Sequence, residues 1–95
     1  MDTKEFRSIV AWLRKTFPVS MPVVVRRSKS KKNHGVTRFD GGRFLVRINS
    51  RFERAVQIET MLHEWGHVVA MDNAYSHGDY WSQIYGKIYT AWETQ

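Results

Sequence analysis

The sequence contains no cysteine, and for a chain of 95 residues this absence is a strong constraint. It excludes a disulfide framework, a cysteine zinc ribbon, an iron–sulfur site and a thiol nucleophile. Any metal ion would have to be held by His, Asp or Glu side chains. Apolar residues make up 42% of the chain, which is typical of a globular protein rather than a disordered one. We therefore predict one domain, residues 1–95, stabilised by a single apolar core.

Two segments have the apolar spacing of amphipathic helices. In residues 3–17 apolar side chains recur at i, i+3, i+4, i+7 and i+11, and Asp2 is placed to cap the first turn. The same spacing recurs up to Trp92 in a last helix that residues 76–79 are expected to begin. These segments predict a helix at each end of the domain.

Strand patterns occupy the region between these helices. A β-branched run predicts one strand from about Met21 to Arg27, and alternation predicts two more, Val36 to Phe39 and Arg43 to Asn49. Asp40-Gly41-Gly42 supplies residues that tolerate the positive φ of a tight hairpin. The expected fold class is α+β, with a small three-stranded antiparallel or mixed sheet.

Charge is distributed unevenly along the chain. Residues 1–54 carry 14 Lys and Arg against four Asp and Glu, whereas residues 55–95 carry one against five. Part of the basic excess falls in a segment that we predict to be an exposed loop. Such a cluster is typical either of nucleic-acid contact through phosphates or of an ordinary solvated loop. The cations of this predicted loop are Arg26, Arg27, Lys29, Lys31, Lys32 and Arg38.

A further helix is predicted before the last one, and it contains the motif with the clearest chemistry. Ser50 and Glu53 have the spacing of a capping box, and the apolar pattern runs from there to about Met71. His63-Glu64-Trp65-Gly66-His67 lies in the middle and reads H-E-x-x-H. Two solvated histidines on a surface helix would be the plain interpretation. The apolar pairs on both sides of the motif instead indicate a buried helix, where charged groups need a partner.

The spacing of this motif suits a zinc site. Residues four apart lie on one face of a helix, so the imidazoles of His63 and His67 can reach one metal ion. Glu64 lies beside that face and is placed to take a proton from a water molecule activated by the metal. Glu64 is therefore the predicted general base, and Zn²⁺ is the predicted cofactor.

A catalytic zinc site needs a third protein ligand, and the spacing leaves more than one candidate. The metzincin pattern is excluded because Ala70 and Asn73 occupy the positions where it requires Gly and His. His77, at the start of the last predicted helix, is the preferred third ligand. Tyrosines near the same region could stabilise an oxyanion or could simply pack in the core. The other candidate ligands are Asp72, Asp79 and Glu93, and the tyrosines are Tyr75, Tyr80 and Tyr85.

The H-E-x-x-H motif and the later run His77-Gly78-Asp79-Tyr80-Trp81 together resemble the SprT-like zinc metallopeptidases. The resemblance covers roughly residues 36–92 and is closest to the very short versions found in bacteriophages. It implies a zincin-like minimal fold in which His63, His67 and His77 bind zinc and Glu64 is the base. Some relatives cut proteins crosslinked to DNA, which would suit the basic half of this chain. The longer members carry a zinc ribbon, and this cysteine-free sequence does not.

The expected function is zinc-dependent hydrolysis of peptide bonds, with a protein or peptide as substrate. The alternative is a non-catalytic, zinc-stabilised module that binds nucleic acid through the basic N-terminal half. The strand Arg43 to Asn49 directly precedes the metal helix, so it is either a sheet edge that pairs with substrate or an ordinary strand. We expect a monomer. The expected location is the cytoplasm, or the host cytoplasm if phage-encoded, because neither a signal peptide nor a membrane-spanning run is apparent.

Overall fold

Three helices and three strands follow one another in the computed structural model, which describes residues 1–29, 32–73 and 78–95. The expected α+β class is confirmed: an N-terminal helix, a three-stranded mixed sheet and two C-terminal helices form a compact globule. No helix in this described part is both long and apolar enough to cross a membrane. The elements are α1 (Thr3–Thr16), β1 (Val23–Ser28), β2 (Gly35–Asp40), β3 (Arg43–Asn49), α2 (Arg54–Asp72) and α3 (Gly78–Thr94).

Helix α1 begins where the sequence predicts. The backbone N–H of Glu5 donates to the Asp2 carboxylate at 2.7 Å, which satisfies one of the free amides of the first turn. The Glu5 carboxylate accepts from Arg54 at the start of α2 and so joins the two helices. On the buried side of α1, apolar residues pack into the core, and these are Phe6, Ile9, Val10 and Leu13.

The sheet has the strand order β1-β3-β2. Strands β2 and β3 form an antiparallel hairpin, in which Asp40 pairs with Arg43 across a two-residue turn. Both turn residues, Gly41 and Gly42, have positive φ of 62° and 82°, the backbone conformation for which glycine is suited. Strand β1 adds to the other side of β3 in parallel. The interpretation of the strand Arg43–Asn49 as a sheet edge is therefore wrong, because β3 is paired on both sides and lies in the centre.

One face of the sheet carries the core. Phe44, Val46 and Ile48 of β3 are buried under the helices, whereas the residues that alternate with them point to the opposite face. The predicted basic loop is shorter than expected, because Arg26 and Arg27 belong to β1 and Arg38 belongs to β2. Lys29 and Lys32 lie in the connection between these strands, and Lys31 lies outside the described residues.

Helix α2 starts three residues later than predicted. Its N-cap is Glu53, whose side chain makes no capping hydrogen bond. Ser50 cannot serve as the cap because it completes the end of the sheet, where its N–H donates to the Ser28 carbonyl at 3.0 Å. The helix then runs through the centre of the domain, and its buried residues contact both α1 and α3. Trp65 is an example: its indole N–H donates to the carbonyl of Phe17 at 2.9 Å.

Candidate metal centre

Helix α2 brings two imidazole nitrogens together. The Nε2 atoms of His63 and His67 lie 3.3 Å apart, one helical turn from each other. Two nitrogen ligands that are about 2.0–2.1 Å from a zinc ion at the tetrahedral angle are about 3.3–3.4 Å apart. The pair therefore has the separation that two ligands of one zinc ion require. A proton on one Nε2 would make the same contact a long hydrogen bond, so metal content is the measurement that distinguishes these states.

The ionisation of His67 suits metal binding. Burial lowers the pKa of this imidazole, and the neighbouring His63 lowers it further, whereas Glu64 acts in the opposite direction. The neutral form is therefore favoured at neutral pH. Only the neutral imidazole has a free nitrogen lone pair for a metal ion.

Aromatic rings from α3 hold both imidazoles in place. The Trp81 indole stacks on the His67 ring, with centroids 4.9 Å apart and planes 16° apart, and the Tyr85 ring also stacks on the indole, with centroids 5.4 Å apart. His63 and Trp81 make an edge-to-face contact, with centroids 4.8 Å apart. These contacts restrict the imidazole orientations before any ligand arrives.

Gly66, within the H-E-x-x-H motif, allows this close packing. A Cβ at this position would lie 3.1 Å from Nε1 of Trp81 and 3.6 Å from Cβ of Tyr85. The absence of a side chain therefore lets α3 approach α2 next to the two histidines. The sequence motif itself leaves this position open, so the packing role of Gly66 emerges only from the structure.

Glu64 is buried, with 7% of its surface exposed, although it is ionisable. Its Oε1 accepts a hydrogen bond of 2.7 Å from the Thr37 hydroxyl in β2. Its other oxygen, Oε2, lies 3.9 Å from Nε2 of His63 and accepts no hydrogen bond from the described residues. Thr37 thus fixes the carboxylate and leaves Oε2 beside the imidazoles. Sequence reasoning missed Thr37, because only the pairing of β2 with β3 places it under α2.

His63 and Glu64 line an open cleft of about 550 Å³ between α2, β2 and α3. His34, Thr60 and Tyr85 form other parts of its wall. Burial, with a smaller contribution from Glu59, raises the pKa of the Tyr85 hydroxyl, so this group stays protonated at neutral pH and can donate a hydrogen bond. Of the other two tyrosines considered from the sequence, Tyr80 lies in the first turn of α3 and Tyr75 lies outside the described residues.

The third ligand is not found among the residues that the structure describes, because no group of three His, Asp or Glu side chains in that part could hold a metal. His77 lies outside the described residues. Asp72 makes another contact, because it accepts from the backbone N–H and hydroxyl of Ser20. Glu93 lies near the end of α3, where it raises the pKa of Tyr89. Asp79 is exposed at the start of α3.

Strand β2 is the sheet edge that lies beside this cleft. The backbone N–H of Asn49 donates to the carbonyl of His34 at 2.8 Å, so these two residues form a hydrogen-bonded pair. Because such pairs alternate along an antiparallel ladder, every second residue of β2 turns its backbone N–H and C=O groups to the outer side. Gly35, Thr37 and Phe39 therefore direct their backbone N–H and C=O groups away from β3. This edge, rather than the strand considered from the sequence, is available for pairing with an extended chain.

Three of the four predicted site residues, His63, Glu64 and His67, are thus brought to one place on α2. No protein-family model matches the chain, and no curated protein or solved structure is significantly similar to it. The function of the chain must therefore be inferred from the contacts of these three residues and from the sequence motif.

Close packing beside Glu64 leads to a first testable prediction. A Cβ at position 35 would lie 2.6 Å from Cγ2 of Thr60, 3.0 Å from the Arg47 carbonyl oxygen and 3.1 Å from Cγ of Glu64. Gly35→Ala is therefore expected to lower the free energy of unfolding by about 1–3 kcal/mol, measured by urea denaturation.

Gly86→Ala is the matched control for this change. A Cβ there meets nothing within 4 Å, and alanine favours a helix, so this variant should be more stable by up to about 1 kcal/mol. Equal stability of Gly35→Ala and the unchanged protein would contradict the packing at Gly35.

Proposed function

We propose that this chain is a zinc-dependent endopeptidase of the SprT-like type, with a zincin-like minimal fold. The observation that supports it most is the combination of two Nε2 atoms 3.3 Å apart with a buried, oriented carboxylate beside them and an open cleft. Each part has an ordinary explanation alone. Together they supply metal ligands, a base and space for a substrate.

His63 and His67 would hold the metal through Nε2, and Trp81 keeps their rings in position. When bound, zinc supplies Lewis-acid chemistry that makes a water molecule acidic enough to lose a proton near neutral pH. Glu64 would accept that proton at Oε2, the oxygen that the Thr37 hydroxyl leaves free. After attack on the peptide carbonyl, the same carboxyl group would deliver the proton to the departing amine.

His77 is the proposed third ligand. It directly precedes Gly78, where α3 begins, and Trp81 in the first turn of α3 contacts both other histidines. A ligand supplied from this point would join α3 to α2 through the metal. The competing carboxylate of Asp72 is hydrogen-bonded to Ser20, which favours His77.

The proposed substrate is an unfolded or extended segment of protein. The outer side of β2 offers the backbone groups of Gly35, Thr37 and Phe39 for strand pairing, and Thr37 also contacts Glu64. A peptide paired with this edge would therefore pass beside the base. Folded domains without a free extended segment would not fit this mode of binding.

The alternative is a non-catalytic module with a structural zinc ion. A structural site needs ligands but no base, and it leaves no open coordination position. The buried position of Glu64, its hydrogen bond to Thr37 and the adjoining cleft favour the hydrolase instead.

The experiment is incubation of the purified protein with an unfolded protein substrate, with and without DNA, followed by mass spectrometry of fragments. Cleavage should occur with zinc, stop with a chelator and return when zinc is restored. Fragments that persist in the chelator, or no fragments under any of these conditions, would contradict the peptidase proposal.

The hydrogen bond to Glu64 leads to a second prediction. Thr37→Val removes the hydroxyl that orients the carboxylate, so kcat should fall roughly 10- to 150-fold while KM and zinc content change little, since a bond to a charged group is worth about 1.5–3 kcal/mol. Thr37→Ser keeps a hydroxyl and should recover most of the activity. Equal loss in both variants would assign Thr37 a purely structural role.

A further inference from the structure

The face of the sheet that points away from the helices is strongly basic. Its side chains alternate along β3 with the buried core residues, and the strand register places their neighbours in β1 and β2 on the same side. We call this surface the open sheet face. It contains a shallow depression of about 280 Å³, with Val24, Val36 and Leu45 as its apolar floor. The arginines around the depression are Arg26, Arg38, Arg43 and Arg47.

These four arginines are all exposed, and none of them takes part in an ion pair within the described residues. Among the residues of the three strands, Asp40 at the hairpin end is the one acidic residue. Its carboxylate oxygens lie more than 4 Å from the guanidinium nitrogens of Arg43. Arg26 and Arg47 are direct partners in the β1–β3 register. Like charges in such positions destabilise a sheet, so an anion bound across them would remove a cost of the fold.

The arginines are spread over all three strands and over three successive levels of the sheet. Arg47, Arg38 and Arg43 occupy successive levels of the hairpin, because Arg38 pairs with Leu45, midway between the other two. Successive levels are two residues apart, or roughly 7 Å. Arg26 lies beside Arg47 on β1, at the same level of the sheet. Charges spread in this way over roughly 14 Å complement a polyanion better than a single small anion.

The open sheet face carries no aromatic ring among the described strand residues. Phe39 and Phe44 pack against each other on the opposite, helix-covered side, with centroids 5.0 Å apart. Surfaces that bind single strands usually add aromatic side chains on which bases stack. A cluster of arginines without such rings suits contact with phosphates, and contacts to phosphates carry no sequence information.

We propose that the open sheet face binds the phosphate backbone of nucleic acid, duplex in preference to single strand, without reading its sequence. The site differs from the basic loop predicted from the sequence, because all four arginines lie on strands, and Arg43 and Arg47 were not part of that loop. It is also separate from the metal centre, which lies on the helix-covered side of the sheet. The proposal is therefore independent of peptidase activity.

The experiment measures binding of a fluorescently labelled 20-base-pair duplex, and of its single strand, by anisotropy at several salt concentrations. The test variant combines Arg38→Gln, Arg43→Gln and Arg47→Gln. Its duplex affinity should fall at least about tenfold, and the slope of log K against log salt should decrease by about 0.9 for each phosphate that is no longer neutralised. The corresponding triple Lys variant keeps the charge and should bind within a few-fold of the unchanged protein.

The matched control removes the same charge from the exposed side of α1, by Lys4→Gln, Arg7→Gln and Lys15→Gln. It should retain duplex affinity within about threefold. Equal decreases in affinity for the two Gln triples would show that only net charge matters and would overturn the proposal. So would no duplex binding by the unchanged protein at low salt, or binding to vesicles containing phosphatidylserine but not to duplex. Cleavage of free unfolded protein by the sheet-face variant should be unchanged.

Discussion

Glu64→Gln is expected to lower peptide hydrolysis by about 10²–10⁴-fold while zinc binding and stability change little. Glutamine keeps the size of the side chain and can still accept the hydrogen bond from Thr37 at its amide oxygen. It cannot take up a proton, and this is the step assigned to Oε2. The measurements are initial rates of cleavage of an unfolded protein, zinc content by elemental analysis and the thermal unfolding midpoint.

Glu93→Gln makes the same chemical change near the end of α3 and should leave the rate near that of the unchanged protein. Activity that survives in Glu64→Gln would refute the role of Glu64 as general base. Loss of zinc in Glu64→Gln would assign this residue to metal binding instead.

Purified protein is expected to contain close to one zinc ion per chain, and His63→Ala or His67→Ala should each remove it. Both Nε2 atoms point to the same space, so neither imidazole alone supplies a tight site. Zinc at about 100 times its dissociation constant should add roughly 2.7 kcal/mol to the free energy of unfolding. For a chain of this size that corresponds to a rise of roughly 10–20 °C in Tm.

His34→Ala is the matched control, because the His34 ring packs on Phe52 rather than on the other histidines. It should keep its zinc, whereas His77→Ala should weaken zinc binding and activity together. Zinc content that is unchanged in both His63→Ala and His67→Ala would exclude the proposed metal centre. Zinc lost in His34→Ala but kept in His77→Ala would make His34 the third ligand.

Features that depend on short stretches of chain could be predicted from the sequence. The bounds of β3, Arg43–Asn49, agree with the predicted strand, because alternating side chains report directly which face is buried. The hairpin turn at Gly41 and Gly42 could be predicted for the same kind of local reason, and so could the capping of α1 by Asp2. His63, Glu64 and His67 belong here too, since helical periodicity alone places them on neighbouring positions.

Features that depend on distant stretches could not be predicted. The spacing of Ser50 and Glu53 indicates a capping box, but Ser50 instead bonds to the end of the sheet. Strand order makes β2 an edge strand and β3 the central one, and no local pattern specifies that order. The same pairing places Thr37 under Glu64, over a separation of 27 residues. The basic excess is evident in the sequence, but the strand order that gathers its arginines on one face of the sheet is not.

The stack of Trp81 on His67 also gives this site an optical reporter. Indole emission responds to charge and to electron-accepting groups in contact with the ring, and the His67 imidazole is such a contact. A metal ion on Nε2 would draw electron density from that imidazole and so change the emission of the neighbouring indole. Of the other tryptophans, Trp12 and Trp92 pack against each other, and the indole N–H of Trp65 donates to the Phe17 carbonyl. The fluorescence of these three should therefore vary little during a zinc titration.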